Sequence, residues 1–377
     1  MFQTLTLRPL RLPEGALVRR ERPAPEAARG ADYDAKFDFH TLVYGAVWLP
    51  DRKTVLLICP RLMNLAAVLK EAVVASAAGR LRFGRVTRYR RWQAVTCYVD
   101  DDPGPELTVT LPDYAGGAQL SFPVMPRVDA FTNLRCLLTK SKDNQLDWIG
   151  DWAQHHVRMQ GTEAIVLFDN GSTRYAPDDV TDRLASVPGL KAALVISADL
   201  PFGPTATKSP RNVARYFQSA TLNLAKHWVL RRAAAVAVND IDELFVSQDD
   251  RTIYDAAAES WFGYATAQGN WRAAPHGEGP TSHGDHVLAW QPERTCKEKW
   301  AVIPGGRLGR ISWDVHGIGR YQFNRLAMVR DVRFLHCEHI STDWKRPRAE
   351  AGDRLGAQWD AATAELLTRS GLRQADA

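Results

Sequence analysis

Two kinds of apolar pattern follow each other along the chain. Between about 38 and 125 the apolar positions come in short β-rich stretches, FDFHTLVYGAVWL, TVLLIC, AVTCYV and ELTVTL, parted by the turn-forming LPDRK and DDPGPE. One helical pattern, RLMNLAAVLKEAVVASA, interrupts them. From about 132 four short apolar runs recur: LRCLLT, AIVLF, AALVIS and AAVAV. Runs of this kind suit parallel strands buried on both faces. Helical patterns lie between them. Residues 144–160 place Leu146, Ile149, Trp152 and His156 at helical spacing, and residues 211–232 do the same with Val213, Tyr216, Phe217, Ala220, Leu224 and Trp228. Alternating strands and helices imply an α/β sheet with right-handed crossovers, whose ligands bind beyond the carboxyl ends of the strands.

This pattern divides the chain into four expected parts. Residues 1–30, rich in Arg, Pro and Ala and without an apolar period, read as an extended arm or poorly ordered end. Residues 31–128 form a β-rich N-terminal domain, with PVMPR at its far boundary, and residues 129–348 form the α/β domain. The tail, 349–377, contributes a C-terminal helix over roughly 353–372.

Composition narrows the class. With 377 residues, 45% hydrophobic and 24% charged, the chain has a globular balance and the length of two domains. No apolar run approaches the ~20 residues of a membrane helix, and the N-terminus lacks the order of a signal peptide. Five widely spaced cysteines with no C-x-x-C pair support neither a zinc knuckle nor a disulfide framework, so a reducing cytoplasm fits best. The net charge of +5 is uneven: GRLRFGRVTRYRRW holds Arg80, Arg82, Arg85, Arg88, Arg90 and Arg91, interleaved with Phe83, Tyr89 and Trp92. That segment is either a solvated strand face or a contact for a polyanion or an acidic membrane surface at the inner face of the membrane. No nucleic-acid partner is expected.

The candidate chemistry sits where strands end. AVAVNDIDELFV places Asp240, Asp242 and Glu243 directly after an apolar run. Three carboxylates in four positions repel one another unless a hard divalent cation neutralises them, and D-x-D alternation in an extended chain points both aspartates to one side. AIVLFDNGST puts Asp169 and Asn170 at a second strand end, either to accept hydrogen bonds from a base or ribose or to close an Asx turn. LLTKSKDNQLDWI offers Thr139, Lys142 and Asn144 after the first strand. Lys142 and Asn144 are placed for phosphate or base edges, while Asp143 or Asn144 could instead cap the next helix. Six of the ten histidines fall between His276 and His339, and His316 and His336 are the metal-ligand candidates. Lys297 and Lys299 are either diphosphate contacts or surface charge.

Taken together, SKDNQLDWIGDWAQHH, VLFDNGST, NDIDELFV, KEKWAVIP, WDVHG and FLHCEHIS, in that order over about 134–345, resemble the GT-A nucleotide-sugar glycosyltransferases, nearest to the bacterial group related to families 2 and 92. One departure is Asn144-Gln145, where relatives carry Asn-Glu. The resemblance implies a Rossmann-like, mostly parallel sheet with flanking helices behind a smaller β-rich domain. It implies a hexosyltransferase that moves a sugar from a nucleotide-sugar donor, with UDP-sugar favoured, to a glycan or glycoconjugate acceptor with inversion, in surface polysaccharide assembly. Mn²⁺ or Mg²⁺ would be held by Asp240, Asp242, His316 and His336. Thr139, Lys142, Asn144, Asp169, Asn170, Asp240 and Lys299 would meet the donor. Asp314 would be the catalytic base, with Asp285 and Glu278 as rivals. Twelve tryptophans are the unusual count, and in this reading Trp261, Trp271, Trp290 and Trp313 become acceptor platforms, whereas Trp148, Trp152 and Trp228 belong to the core. Two other classes stay open: a haloacid-dehalogenase-type phosphatase with an aspartate nucleophile, and a non-catalytic polyanion-binding protein. A dinucleotide oxidoreductase is disfavoured because no G-x-G-x-x-G follows a strand.

Overall fold

The computed structural model describes residues 1–204, 214–275, 281–319, 321–340 and 356–374. The chain forms two compact units. One comprises residues 1–5, 129–197 and 230–377, and the other residues 6–128 and 198–229.

The first unit is built on a nine-stranded sheet. The four apolar runs form its parallel half: the first strand Arg135–Ser141, the second Ala164–Asp169, the third Ala192–Ser197 and the fourth Ala235–Val238. Their order across the sheet is third, second, first, fourth. Paired residues run Cys136 beside Ala164, Ala164 beside Ala192, and Cys136 beside Val236. The second strand is buried at every position, which explains its unbroken apolar run. The helix expected over 144–160 runs from Leu146 to Gln160, and Trp148, Ile149 and Trp152 fix it in the core with Ile165, Leu167, Val180 and Leu184. Neither Asp143 nor Asn144 caps it: Gln145 holds the cap position without a side-chain bond.

The rest of this sheet is mixed rather than parallel. Beyond the fourth strand come Thr295–Val302, Tyr264–Arg272, Met328–Cys337 and Glu243–Ser247, with antiparallel pairing everywhere except between Tyr264–Arg272 and Met328–Cys337. The expectation of a mostly parallel sheet therefore holds for one half. Residues 2–6, expected within a loose arm, instead form the outermost strand beside Ala192–Ser197, where Ala193 N–H donates to the Met1 carbonyl. In the tail, the helix is Ala361–Arg369, shorter than expected and preceded by the strand Ala357–Trp359.

The second unit holds two four-stranded antiparallel sheets. In one, Gly45–Leu49, Thr54–Pro60, Trp92–Tyr98 and Arg82–Arg88 follow one another as neighbours. Thr54–Pro60 is buried throughout, because the helix Tyr216–His227 packs on this sheet. Residues 198–229, expected inside the α/β domain, belong here. Gly45 marks the closest approach of that helix: a Cβ there would stand 2.8 Å from Leu224 Cδ1. The helical pattern in 61–77 yields only Leu65–Glu71, because the following Val73–Ser76 pairs as a strand with Glu106–Thr110. Trp228, at the end of the long helix, is half-buried, and its indole N–H donates to the Pro126 carbonyl.

Candidate functional site

The first strand lies between the second and the fourth, so the chain crosses over to opposite sides from it. That arrangement makes a crevice at the carboxyl ends of the first and fourth strands. The first strand opens into Lys142–Asn144 and the fourth into Asn239–Glu243.

Residues 239–243 do not continue as an extended strand. Glu243 N–H donates to the Asp240 carbonyl, and Asn239 Nδ2 donates to the Glu243 carbonyl, so the acidic run closes into a tight turn. The D-x-D alternation therefore does not aim Asp240 and Asp242 the same way. Sheet register decides where each goes. Val238 pairs with Trp300, which sets the neighbouring Lys299 beside Asp240; Glu243 pairs with His336, and Trp271 pairs with His336 from the other side. Lys299 Nζ lies 2.8 Å from Asp240 Oδ2 and 2.7 Å from Glu243 Oε2, with its side chain 1% exposed. It is thus a buried counter-ion and not a surface charge. His336 Nε2 lies 3.3 Å from Asp242 Oδ2, and its Nδ1 lies 3.7 Å from Glu243 Oε1. The Trp271 ring stacks on His336 with centroids 3.7 Å apart.

The charges explain the titration of these groups. Burial disfavours the imidazolium of His336, but the Asp242 carboxylate, helped by Cys296 and Glu243, outweighs it and pushes the pKa up to about 10. Burial raises the pKa of Glu243, against the pull of Lys299. Burial likewise opposes charge on Lys299, yet Asp240 and Glu243 together raise its pKa. His316 moves the other way. Burial and the nearby Lys299 lower it to about 4, and its Nδ1 lies 3.4 Å from the Glu298 carbonyl.

Histidines that the sequence reading did not single out for this role hold the turn in place. His156 Nδ1–H donates to the Trp152 carbonyl, while its Nε2 accepts from Phe245 N–H and lies 3.0 Å from Asn239 Nδ2. His283 Nε2 bonds the Ile241 carbonyl, and Cys337 N–H donates to the Asp242 carbonyl.

Among the described residues, Asp242, Glu243 and His336 form a group whose ligand atoms all lie within 4.8 Å of one another. Two carboxylates and an imidazole are a donor set able to hold a divalent cation. Of the four expected metal ligands the structure brings Asp242 and His336 together and adds Glu243; Asp240 is engaged by Lys299, and His316 is not part of this group of three. Glu243 was visible in the acidic run, but only its register with His336 shows what it faces.

The remaining expected residues divide. Asp169 closes the turn: Ser172 N–H donates to its Oδ2 at 3.0 Å and Ser172 Oγ bonds its Oδ1, while burial raises its pKa. Its carboxylate thus closes the Asx turn, the alternative to a donor contact. Asn170 is buried, and its N–H donates to the Ser141 carbonyl. Thr139 is fully buried inside its strand, away from any solvent-borne donor. Asn144 is buried at the crevice, with Nδ2 donating to Ser141 Oγ and Oδ1 without a partner, and Lys142 is half-buried beside it. Asp285 is engaged by Ser282, whose N–H and Oγ both bond its Oδ2 and close a capping box at a short 3-10 helix. Glu278 lies outside the described residues. Asp314 sits half-buried on the two-residue strand Trp313–Asp314, with its Oδ1 accepting from Val315 N–H. Of the expected platforms, Trp261 is 72% exposed and Trp271 partly exposed. Trp290 and Trp313 are buried. Trp313 donates to the Gly309 carbonyl and packs edge-on against Trp300, so both are core residues and not platforms.

No family model matches the chain, and no curated protein matches it. Two solved structures are similar over parts of it. One is TarS of S. aureus, 14% identical with a TM-score of 0.26, covering 45% of this chain and 47% of that one. The other is a pullulanase from Anoxybacillus complexed with maltotriose, 15% identical with a TM-score of 0.16, covering 22% of this chain and 12% of that one. The chain thus spans less than half the length of either structure.

Proposed function

We propose that the chain is a nucleotide-sugar-dependent hexosyltransferase of the GT-A type, inverting and served by Mn²⁺ or Mg²⁺. The observation that carries this reading is the Asp242–Glu243–His336 donor set at the carboxyl end of a parallel strand, beside the crevice where the strand order reverses. Asp242, Glu243 and His336 would hold the ion, which when bound neutralises the charge developing on a departing diphosphate. Lys142 and Asn144, whose buried Oδ1 has no partner, follow the first parallel strand and would orient the donor, with UDP-sugar the favoured class. Lys299 keeps Asp240 and Glu243 in place. Asp314, two residues from His316, would take the proton of the acceptor hydroxyl as it attacks the anomeric carbon. Trp271, stacked on His336, offers an indole face to the sugar of a glycan or glycoconjugate acceptor.

A thermal-shift screen tests this. A nucleotide sugar with Mn²⁺ is expected to raise Tm, and Asp242→Ala to abolish the rise. No shift with any nucleotide sugar, or indifference to both Mn²⁺ and Mg²⁺, sinks the proposal. The Asp240–Lys299 pair also suits a phosphatase with an aspartate nucleophile. Release of inorganic phosphate from sugar phosphates would favour that reading instead.

A further inference from the structure

The arginine-rich stretch takes no part in the site above. Arg82–Arg88 is the outer strand of its four-stranded sheet, paired only with Trp92–Tyr98. Edge strands commonly carry charge as protection against pairing with another chain. The density here exceeds that need. Arg80, Arg82, Arg85, Arg88 and Arg90 are all exposed, and no acidic residue occurs from Ala72 to Val99. Asp100, 3.2 Å from Arg82, offsets one charge at one end. The register shifts between Phe83 and Val86, and such a bulge twists the strand. Long guanidinium arms from both faces of an edge strand can reach one outer plane.

The aromatic residues discriminate between anionic partners. Trp92 is buried, Tyr89 stacks on it with ring centroids 4.2 Å apart, and Phe83 packs on the core of its unit. The segment therefore lacks the open row of ring faces on which a single-stranded nucleic acid stacks its bases. An apolar side chain stands among the arginines instead: Val86, on the edge strand itself, is 45% exposed. A hydrated polyanion would leave it against water. A bilayer interface accepts cationic heads at phosphate level and apolar tips beneath them. We propose that this edge, Arg82–Arg88 with Val86 and the flanking Arg80 and Arg90, docks the chain on an anionic phospholipid surface. The proposal is independent of what the acidic cluster catalyses.

Co-sedimentation of the full chain with vesicles tests it. Vesicles of phosphatidylcholine with about 30% phosphatidylglycerol should pellet the protein, and phosphatidylcholine alone should not. Each arginine near such a surface is worth about five-fold in partitioning, so Arg85→Ala with Arg88→Ala should weaken binding about 30-fold, and raised salt should release the protein. Arg85→Lys with Arg88→Lys should retain most of it. Unchanged Tm in both double variants separates lost docking from lost folding. Equal pelleting by neutral vesicles, no pelleting by either kind, or binding to soluble polyphosphate without vesicle binding would each overturn the proposal.

Discussion

Replacing Lys299 with Met should be among the most damaging single changes at the acidic cluster. The ammonium sits 2.8 Å from Asp240 and 2.7 Å from Glu243 and is closed off from water. At such distances each attraction is roughly 6 kcal/mol gross at an effective dielectric of ~20, most of it offset by desolvation. Methionine keeps much of the volume but removes the charge. Two carboxylates, one of them fully buried, are then left uncompensated, and breaking a buried pair this way costs about 3–5 kcal/mol. The loss has a pH signature. Glu243 already has a raised pKa, and without Lys299 it rises further. A carboxyl whose folded pKa lies above its unfolded one contributes stability below the unfolded value and loses it as pH rises through the folded value. The variant should therefore approach wild type as the pH falls toward 4.5 and fall furthest behind near neutrality. Adding Glu243→Gln removes one orphan charge and should recover a sizeable part of the loss at pH 7. Urea unfolding followed by tryptophan fluorescence measures all of this. A loss below about 1 kcal/mol, or one unaffected by both pH and Glu243→Gln, would refute the counter-ion argument.

Other outcomes follow from the same geometry. His155, held near pKa 4 by burial, and His156, whose bonding requires the neutral ring, both titrate well below the unfolded histidine value of 6.5. Their stability is complete above pH 6.5 and is lost as the pH falls, at up to about 2.7 kcal/mol per pH unit for the two together; His155→Gln should roughly halve that slope in urea titrations between pH 6.5 and 5. Trp313→Ala should cost about 3–5 kcal/mol, whereas Trp261→Ala should stay within about 0.5 kcal/mol, and similar losses at both positions would contradict their burial. Trp271→Ala should raise acceptor KM and cost only about 0.5–1.5 kcal/mol through the lost stack on His336, as read by denaturation beside kinetics. Asp285→Ala should remove its capping-box bonds to Ser282, worth about 1 kcal/mol, while leaving turnover intact; loss of turnover in a variant of normal Tm would favour Asp285 as the base.

The parallel half of the large sheet was readable in the sequence because strands buried on both faces need apolar side chains at every position, as Ala164–Asp169 shows. The antiparallel half was not. Thr295–Val302 carries Lys297, Glu298 and Lys299, whose polarity hides a strand until a partner for Lys299 is known. The same limit hid the N-terminal strand, since Phe2–Thr6 is short and directly precedes an Arg- and Pro-rich stretch without an apolar period. Tryptophan was ambiguous for a different reason: indole suits a sugar platform and a core equally well, and only burial separates Trp271 from Trp313.

For the acidic cluster, composition identified the carboxylates but not their partners, because register sets the partners. Glu243 meets His336 across a pairing that joins distant parts of the chain, and Lys299 meets Asp240 through the pairing of Val238 with Trp300. That arrangement has a consequence for folding. Three clustered carboxylates would repel one another and open the turn, but Lys299 and the charged form of His336 supply two opposing charges from the same sheet. The turn is therefore stable on its own side chains. An incoming cation at Asp242, Glu243 and His336 would compete with a proton on the imidazole rather than rescue an unbalanced loop. Removing divalent ions should accordingly leave the fold intact, and chelator-induced unfolding would show that the internal charges do not suffice.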